Sequence, residues 1–110
     1  MPQPAQPGPA ADRDRQIIAV IRSLGAGEVV SYGDIADDAG HPGRSRLVGR
    51  LLATSDDADD LPWWRVVGAS GRLVPGHEVE QAERLRDEGV EVSDGRVRWA
   101  HAGRFSRARP

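Results

Sequence analysis

The sequence predicts a mainly α-helical domain with small β-hairpins, arranged as a winged helix-turn-helix. Three observations lead to this fold class. Apolar residues recur at helical spacing in four separate segments of the 110-residue chain. A short glycine-containing turn joins the second and third segments, as in a helix-turn-helix. Beyond them, short runs rich in β-branched residues flank turn sequences, which is typical of hairpins.

By composition the chain divides into three parts. Residues 1–11 are rich in proline, alanine and glutamine, have almost nothing to bury, and are expected to form a disordered leader. Residues 12–99 carry the apolar periodicity and are expected to form a single small domain. Residues 100–110 are basic and are expected to form a flexible tail.

The first two helices are indicated by periodicity and by the residues at their ends. A helix is predicted over residues 12–24, whose apolar side chains share one face. Residues 28–30 follow as a short extended segment. Ser31 then begins a second helix, with Asp34 three residues later in the manner of a capping box, and Gly40 ends it.

The third helix, predicted over residues 44–53, has the character of a recognition helix. Residues 41–43, His-Pro-Gly, form the preceding turn and place proline near the first helical position. The apolar residues of this helix share one face, while Arg46 and Arg50 lie four residues apart on another. Two helices joined by a short turn, the second basic on its outer side, predict a helix-turn-helix.

Two hairpins and a fourth helix are predicted in the rest of the domain. Residues 65–67 and 72–74 flank a Gly-Ala-Ser-Gly turn and are interpreted as a hairpin wing. The fourth helix is predicted over residues 79–88. Residues 90–92 and 96–99 flank Ser-Asp-Gly and predict the last hairpin.

The charged residues are segregated, although the net charge is only −2. All basic residues are arginine. Residues 41–55 contain three arginines and no acid, and residues 95–110 contain five with no acid. The acids gather instead in residues 34–38 and in a loop at residues 56–60. A near-neutral protein with this pattern can present a basic surface to phosphate, although solvated faces would give the same pattern.

The composition argues against several kinds of site. The chain has no cysteine, which removes disulfides, thiol chemistry and Cys-type zinc sites. The three histidines lie far apart without ligand spacing, so we expect neither a metal nor a cofactor. No apolar run approaches a membrane span and no signal peptide is visible, so a soluble intracellular protein without a membrane partner is expected.

Three segments, in register over about 40 residues, carry a resemblance to a known family. They are Gly27-Glu28-Val29-Val30-Ser31-Tyr32, then Ala39-Gly40-His41-Pro42 with Arg46-Leu47-Val48-Gly49-Arg50, then Pro62-Trp63-Trp64-Arg65-Val66-Val67 with Ser70-Gly71. Residues 13–92 resemble the C-terminal domain of the O6-alkylguanine-DNA alkyltransferases. They resemble the alkyltransferase-like proteins more closely, which keep the DNA-binding site and commonly carry tryptophan in place of the acceptor cysteine.

Pro62-Trp63-Trp64-Arg65 stands where the enzymes have Pro-Cys-His-Arg. A thiolate accepts an alkyl group at neutral pH, whereas an indole does not. The resemblance therefore implies a protein with no catalytic residue and no alkyltransferase activity. It also places Ser55 where the enzymes carry an asparagine, and Glu88 at the glutamate of their proton relay. Without the thiol, Glu88 is expected to be a helix-terminal charge.

The resemblance implies a DNA interface on the helix-turn-helix. Arg46 falls at the family's finger arginine, which fills the hole left by an extruded base. From sequence context alone, a phosphate contact or a helix-face ion pair is the alternative. Tyr32, the only tyrosine, matches the residue that crowds the 3′ phosphate of the target nucleotide, although such a tyrosine is otherwise usually half-buried in the core. The remaining implied DNA-binding residues are Arg44, Gly49 and Arg50.

The resemblance also implies a pocket for the flipped base. Trp63 is placed on its floor, where stacking of a base would contribute about 1–3 kcal/mol. Trp64 replaces the histidine of the proton relay, and of the two it is the one expected to pack in the core. Arg65 is expected to pin the motif by hydrogen bonds. The other implied pocket residues are Leu52, Leu73 and Val74. The lid loop, residues 73–77, departs most from the family, which leaves open which residue closes over the base.

Together these features imply a non-catalytic protein that recognises DNA damage. It would bind duplex DNA containing alkylated guanine through the minor groove, flip the base, and hand the lesion to nucleotide excision repair proteins. We expect a monomer in a bacterial-type cytoplasm, associated with the nucleoid when bound to DNA.

Three alternatives stay open. A winged-helix transcription regulator would favour Asn or Gln on its recognition helix, and residues 44–55 contain neither. A protein-interaction module with a vestigial pocket would not need Tyr32 and Arg46. An enzyme such as a glycosylase, using an acid of residues 56–60, is least favoured because a loop is a poor place to tune a carboxylate.

Overall fold

The computed structural model describes residues 8–54 and 60–107. Within these ranges the helices are α1 (Pro9–Arg22), α2 (Tyr32–Asp38), α3 (Ser45–Thr54) and α4 (Glu78–Asp87). The strands are β1 (Glu28–Ser31), β2 (Val66–Val67), β3 (Glu91–Ser93), β4 (Arg96–Trp99) and β5 (Ala102–Gly103), with a 3-10 helix at Trp63–Arg65. The prediction of a mainly helical domain with small strands is confirmed. The predicted acidic loop falls largely on residues 55–59, outside the described residues, as does Ser55.

Helix α1 begins at Pro9, three residues before the predicted start. Proline suits the first helical turn because its missing N–H has no intrahelical partner there. Ile17 and Ile21 are fully buried and anchor the helix. The prediction of a disordered leader is therefore wrong for residues 9–11, and residues 1–7 lie outside the described residues.

Helices α2 and α3 form the predicted helix-turn-helix. The capping box is confirmed: the Ser31 hydroxyl accepts a hydrogen bond from the Asp34 amide at 3.0 Å, and Asp34 accepts one from the Ser31 amide at 2.9 Å. Gly40 follows α2 with a positive φ of 83°. Helix α3 then buries Leu47 and Val48 against its neighbours and leaves its arginines exposed.

The predicted hairpin wing over residues 65–74 does not form. Strand β2 pairs in parallel with β1, with Val30 opposite Val66, and residues 72–74 make only one isolated bridge, from Arg72 to Arg96. Val66 and Val67 are both fully buried. Successive strand residues face opposite sides of a sheet, so β2 needs cover on both faces. An exposed hairpin would have left one of these valines in water.

The last predicted hairpin is confirmed as β3 and β4, which pair antiparallel. Asp94 and Gly95 connect them with φ of 53° and 73°. Positive φ at both central residues is the geometry of a type I′ hairpin turn, and Asp-Gly is a favoured sequence for it.

The predicted flexible tail is wrong for residues 100–107, and residues 108–110 lie outside the described residues. Strand β5 adds to the other edge of β1 in parallel, with Val29 opposite Gly103, and Ala100 is fully buried. A Cβ at Gly103 would lie 2.3 Å from the Val29 carbonyl oxygen, so the close approach requires glycine. The basic composition of residues 100–110 does not indicate that Ala100 is buried or that Gly103 packs against Val29.

The three-stranded sheet, in the order β2-β1-β5, lies between two cores. On one side, Val30 and Val66 pack with the buried faces of α1, α2 and α3. On the other side, Val29 and Val67 pack with α4 and the β3–β4 hairpin. No helix among the described residues is long and apolar enough to cross a membrane.

Candidate nucleic-acid interface

A cleft of about 470 Å³ opens between the helix-turn-helix and the segment from the 3-10 helix to α4. Its lining comprises Tyr32, Gly49, Leu52, Ala53, Trp63, Val74, His77, Glu80 and Arg84. The first six present mainly apolar surface. The last three come from the N-cap of α4 and from two successive turns of that helix, and they give the cleft one charged or polar wall.

Tyr32 and Gly49 form the wall contributed by the helix-turn-helix. Tyr32 is the first residue of α2, and a Cβ on Gly49 would lie 3.9 Å from the tyrosine ring. The small residue thus brings α3 against the ring at ordinary contact distance. Burial raises the pKa of Tyr32, so its phenol is neutral and can donate a hydrogen bond.

Trp63 forms the opposite wall and is half-buried. Its ring meets His77 at a centroid distance of 5.8 Å and Trp64 at 6.3 Å, both in edge-on geometry. Edge-to-face packing of this kind holds an aromatic ring in a defined orientation.

Arg84 places a positive charge beside the two tryptophans. Its guanidinium carbon lies 4.7 Å from the ring centroid of Trp64 and 5.9 Å from that of Trp63. Its terminal nitrogen pairs with Glu80 at 3.0 Å, one helical turn away, in a pair that is about half exposed. The cation is therefore at the cleft surface, oriented by the aromatic rings and by Glu80.

Behind the motif, Arg65 and Glu88 form a largely buried ion pair. The guanidinium donates from Nε at 3.0 Å and from Nη2 at 2.8 Å, which is the bidentate geometry that favours arginine. The same carboxylate accepts from the Trp64 indole and from the Gly27 amide, each at 2.8 Å. Arg65 also donates to the Leu24 carbonyl at 2.8 Å. This network joins the loop between α1 and β1, the 3-10 helix and the C-terminal end of α4.

Burial by itself would raise the pKa of Glu88. Hydrogen bonds from Arg65, Gly27 and Trp64, together with the charge of Arg65, outweigh that effect and hold the pKa below its ordinary value. Glu88 caps the C-terminus of α4 as a charged group, as the sequence predicts. The sequence does not predict its role in joining the end of α4 to the 3-10 helix and to the loop before β1.

Gln81 is a further residue that the sequence did not single out. It is fully buried, and its amide donates to the carbonyls of Trp64 and Val66 while its oxygen accepts from the Val74 amide at 2.7 Å. It therefore fixes the tryptophan motif and the loop at Val74 relative to each other. A signal was available, because Gln81 lies one helical turn from Leu85 on the apolar face of α4.

Of the predicted pocket residues, the structure brings Leu52, Trp63 and Val74 to the cleft. Leu73 does not line it, because it is 2% exposed within the second core. Trp64 and Arg65 do not line it either. Their polar groups bond to Glu88 behind the motif, and the Trp64 ring packs on the second core, as expected for this member of the pair.

Of the predicted DNA-binding residues, Tyr32 and Gly49 line the cleft. Arg44, Arg46 and Arg50 lie outside it, exposed at the start and along the outer face of α3. The lining residues that the sequence did not propose for the pocket are Ala53, Glu80 and Arg84. His77 was in the predicted lid loop without a role of its own. The four-residue spacing of Glu80 and Arg84 on one helix can be read from the sequence. The contact of Arg84 with Trp63 and Trp64 depends on the tertiary structure.

Among the described residues, no group of three or more histidine, aspartate or glutamate side chains could hold a metal ion.

The helix-turn-helix, the aromatic cleft and the Pro62-Trp63-Trp64-Arg65 motif together define a domain of the alkyltransferase class. The family model described as 6-O-methylguanine DNA methyltransferase, DNA binding domain, matches residues 12–90. The chain belongs to this family, and the predicted resemblance is confirmed. The C-terminal strands β3 to β5 lie beyond the matched residues.

Individual relatives agree with this assignment. A DNA base-flipping protein of Vibrio parahaemolyticus is 41% identical over 81 residues, which cover 72% of this chain and 81% of the relative. A DNA base-flipping protein of Escherichia coli is 33% identical over 93 residues, covering 77% of this chain and 72% of the relative.

Among solved structures, S. pombe Atl1 in complex with damaged DNA containing O6-carboxymethylguanine is similar with a TM-score of 0.67 and 28% identity. The match covers 74% of this chain and 80% of that chain. The family includes methyltransferases, but this chain has no cysteine that could accept a methyl group.

Proposed function

We propose that this protein recognises alkylated guanine in duplex DNA and holds the lesion without repairing it. The observation that carries the proposal is the position of Trp63. By the resemblance of the motif it matches the acceptor cysteine of the enzymes, and in the structure it forms one wall of a cleft whose other wall is Tyr32 and α3. The base-flipping relatives and the Atl1 complex with damaged DNA support the same assignment.

The dimensions and surface of the cleft suit an extruded base. Its volume of about 470 Å³ falls in the range of about 300–1,000 Å³ found for small-molecule sites. Trp63 offers an aromatic surface for contact with the base, and Leu52 and Val74 offer apolar surface for an alkyl group. Stacking of a base on an aromatic side chain contributes about 1–3 kcal/mol, largely independent of base identity.

The residues around the cleft supply the other requirements of base flipping. Arg46 is exposed on the first turn of α3, where a planar guanidinium can replace the extruded base within the helix. Tyr32 borders the cleft with a neutral phenol that can donate to the phosphate of the rotated nucleotide.

The chemistry of the enzymes has no counterpart in this site. The chain has no cysteine thiol, and by the motif resemblance Trp64 matches the histidine that would relay its proton. Glu88 is occupied by hydrogen bonds from Gly27, Trp64 and Arg65. A lesion would be bound and released unchanged. We therefore propose that the protein–DNA complex is the signal, and that nucleotide excision repair proteins act on it.

Lesion recognition is tested by titrating the protein with two duplexes that differ only in one O6-methylguanine or guanine, with tryptophan fluorescence and anisotropy as readouts. We expect about tenfold or greater preference for the lesion, corresponding to about 1.4 kcal/mol. Arg46→Ala and Tyr32→Ala should weaken binding, whereas Arg98→Ala, an exposed arginine of β4, is the matched control. Equal affinity for the two duplexes in the wild type would exclude lesion recognition and leave a sequence-reading or partner-binding role.

The transfer to excision repair is tested separately, in cells. Deleting the gene should sensitise cells to an alkylating agent when excision repair is intact, and should add nothing in a strain that lacks excision repair. Equal sensitisation in both strains would contradict the transfer while leaving lesion binding in place.

A further inference from the structure

A second cleft, of about 310 Å³, adjoins the first one. Its lining comprises Ser31, Tyr32, Gly33, Asp34, Asp37, Ser45, Ala69 and Arg104. Tyr32 lines both clefts, and Ser45 begins α3, so the second cleft lies beside the helix-turn-helix on the side of the proposed DNA interface. The C-terminal segment closes it through Arg104, which is the one basic residue among these described lining residues.

The backbone of Arg104 is held by the sheet. Its amide donates to the Val29 carbonyl at 3.0 Å, directly after β5 has paired with β1. Gly103 permits this approach, since any side chain there would collide with Val29. Composition alone predicts that Arg104 lies in a loose tail. The pairing of β5 with β1 instead brings it into the same cleft as Tyr32, from which it is distant in sequence.

The guanidinium of Arg104 is oriented but still accessible. Its Nε donates to the Ala69 carbonyl at 2.9 Å, and its Nη1 pairs with Asp34 at 3.1 Å. The side chain remains 41% exposed. Nη2 makes no hydrogen bond to another described residue, which leaves one nitrogen of the guanidinium fork for a ligand.

Arg104 also changes the electrostatic potential of the second cleft. The cleft contains the carboxylates of Asp34 and Asp37, which would repel a phosphate beside Tyr32. Asp34 has a structural role at the start of α2, because its other carboxylate oxygen accepts a hydrogen bond from the Ser31 amide. Arg104 pairs with that carboxylate and so offsets a charge that the capping box requires.

We propose that Arg104 binds the DNA sugar–phosphate backbone next to Tyr32, as an extension of the interface by a segment beyond residues 12–90. This inference rests on the proposed function, because it uses the DNA side of Tyr32. The occupant is a phosphate diester, since the cleft offers a guanidinium, a phenol and a serine hydroxyl to an anion. The contact is independent of base identity.

The test measures affinity for the O6-methylguanine and guanine duplexes over a series of salt concentrations. One phosphate contact contributes about 0.9 to the slope of log K against log salt on duplex DNA. Arg104→Gln should lower the magnitude of this slope by about 0.9 and should reduce the affinity for both duplexes by the same factor. Arg104→Lys should recover the slope. Arg98→Gln is the matched control, because Arg98 has the same charge, similar exposure and a place on the same segment.

Point substitutions replace truncation here, because Ala100 is buried and β5 belongs to the sheet. Thermal unfolding of each variant accompanies the titrations. If Arg104→Gln weakens binding without changing the slope, its role is to hold the C-terminal segment, and the inference is overturned. A lower slope in a protein without lesion preference would overturn the proposed function and retain this contact. Absence of binding to either duplex by the wild type would overturn both.

Discussion

Trp63 and Trp64 are neighbours in the chain but belong to opposite sides of the 3-10 helix. Trp63 faces the cleft, where it lies beside His77 and opposite Tyr32. Trp64 turns away from it, packs on the second core and donates its indole N–H to Glu88. The same type of side chain therefore forms a cleft wall at one position and a structural anchor at the next.

The two sides of the 3-10 helix differ in structure: one borders the open cleft and the other is held by hydrogen bonds inside the fold. On the cleft side, the motif presents the aromatic surface of Trp63 to an open cleft. On the inner side, Arg65 and Glu88 form a dense set of hydrogen bonds that holds the 3-10 helix against α4. The hydrogen-bond network behind the motif does not involve the side chain of Trp63, so these bonds do not depend on the residue type at that position.

The largest effect is expected from breaking the inner side. Glu88→Ala leaves Arg65 largely buried without its partner, and such a change costs about 3–5 kcal/mol of unfolding free energy. Urea denaturation measures this. Glu80→Ala is the control on the same helix, because its pair with Arg84 is exposed and should contribute less than about 1 kcal/mol. Similar losses in the two variants would contradict the assignment of Glu88 as a structural centre.

A second, smaller effect sharpens the difference between the tryptophans. Trp63→Ala removes the cleft wall and should reduce lesion affinity by about 1–3 kcal/mol while affecting the guanine duplex less. Trp64→Phe keeps an aromatic ring but loses the indole N–H that donates to Glu88, so it should lower stability by about 2 kcal/mol and keep the lesion preference. Paired titration and denaturation give both quantities. The reverse pattern would show that Trp64, not Trp63, contacts the base.

The smallest effect is a pH dependence confined to the inner side. The pKa of Glu88 is lowered in the folded protein, so its stabilisation is complete above the unfolded pKa of about 4.3 and is lost as pH falls through the folded value. The stability gap between wild type and Glu88→Gln should therefore shrink below about pH 4. Urea midpoints between about pH 7 and pH 3 measure the gap. A gap that stays constant would show that the charge of Glu88 contributes nothing.

Features encoded within a few residues were predictable from the sequence. The Ser31–Asp34 capping box and the turn at Asp94 and Gly95 involve partners no more than three residues apart, so their residue types suffice to specify them. The helix-turn-helix followed from periodicity in the same way. The three motif segments placed Trp63 and Tyr32 in one site before the distance between them was known.

Other features depended on partners that are distant in the chain. Gly27 and Glu88 are 61 residues apart, yet they share a hydrogen bond. The sequence pattern predicts residues 72–74 as the partner of residues 66–67, whereas the structure pairs them with β1. The hydrophobic pattern shows that a strand must be covered but does not show by which neighbour.

The sequence by itself determined the helical elements, the family and the absence of an acceptor cysteine, because these follow from residue types and local order. The tertiary structure alone decided that Trp64 and Arg65 lie behind the cleft, that Arg84 borders it, and that the C-terminal segment returns to the sheet. The reason is that burial and pairing are properties of two distant segments together. Composition classed residues 100–107 as a tail, whereas the exposed edge of β1 and the absence of a side chain at Gly103 made them a strand.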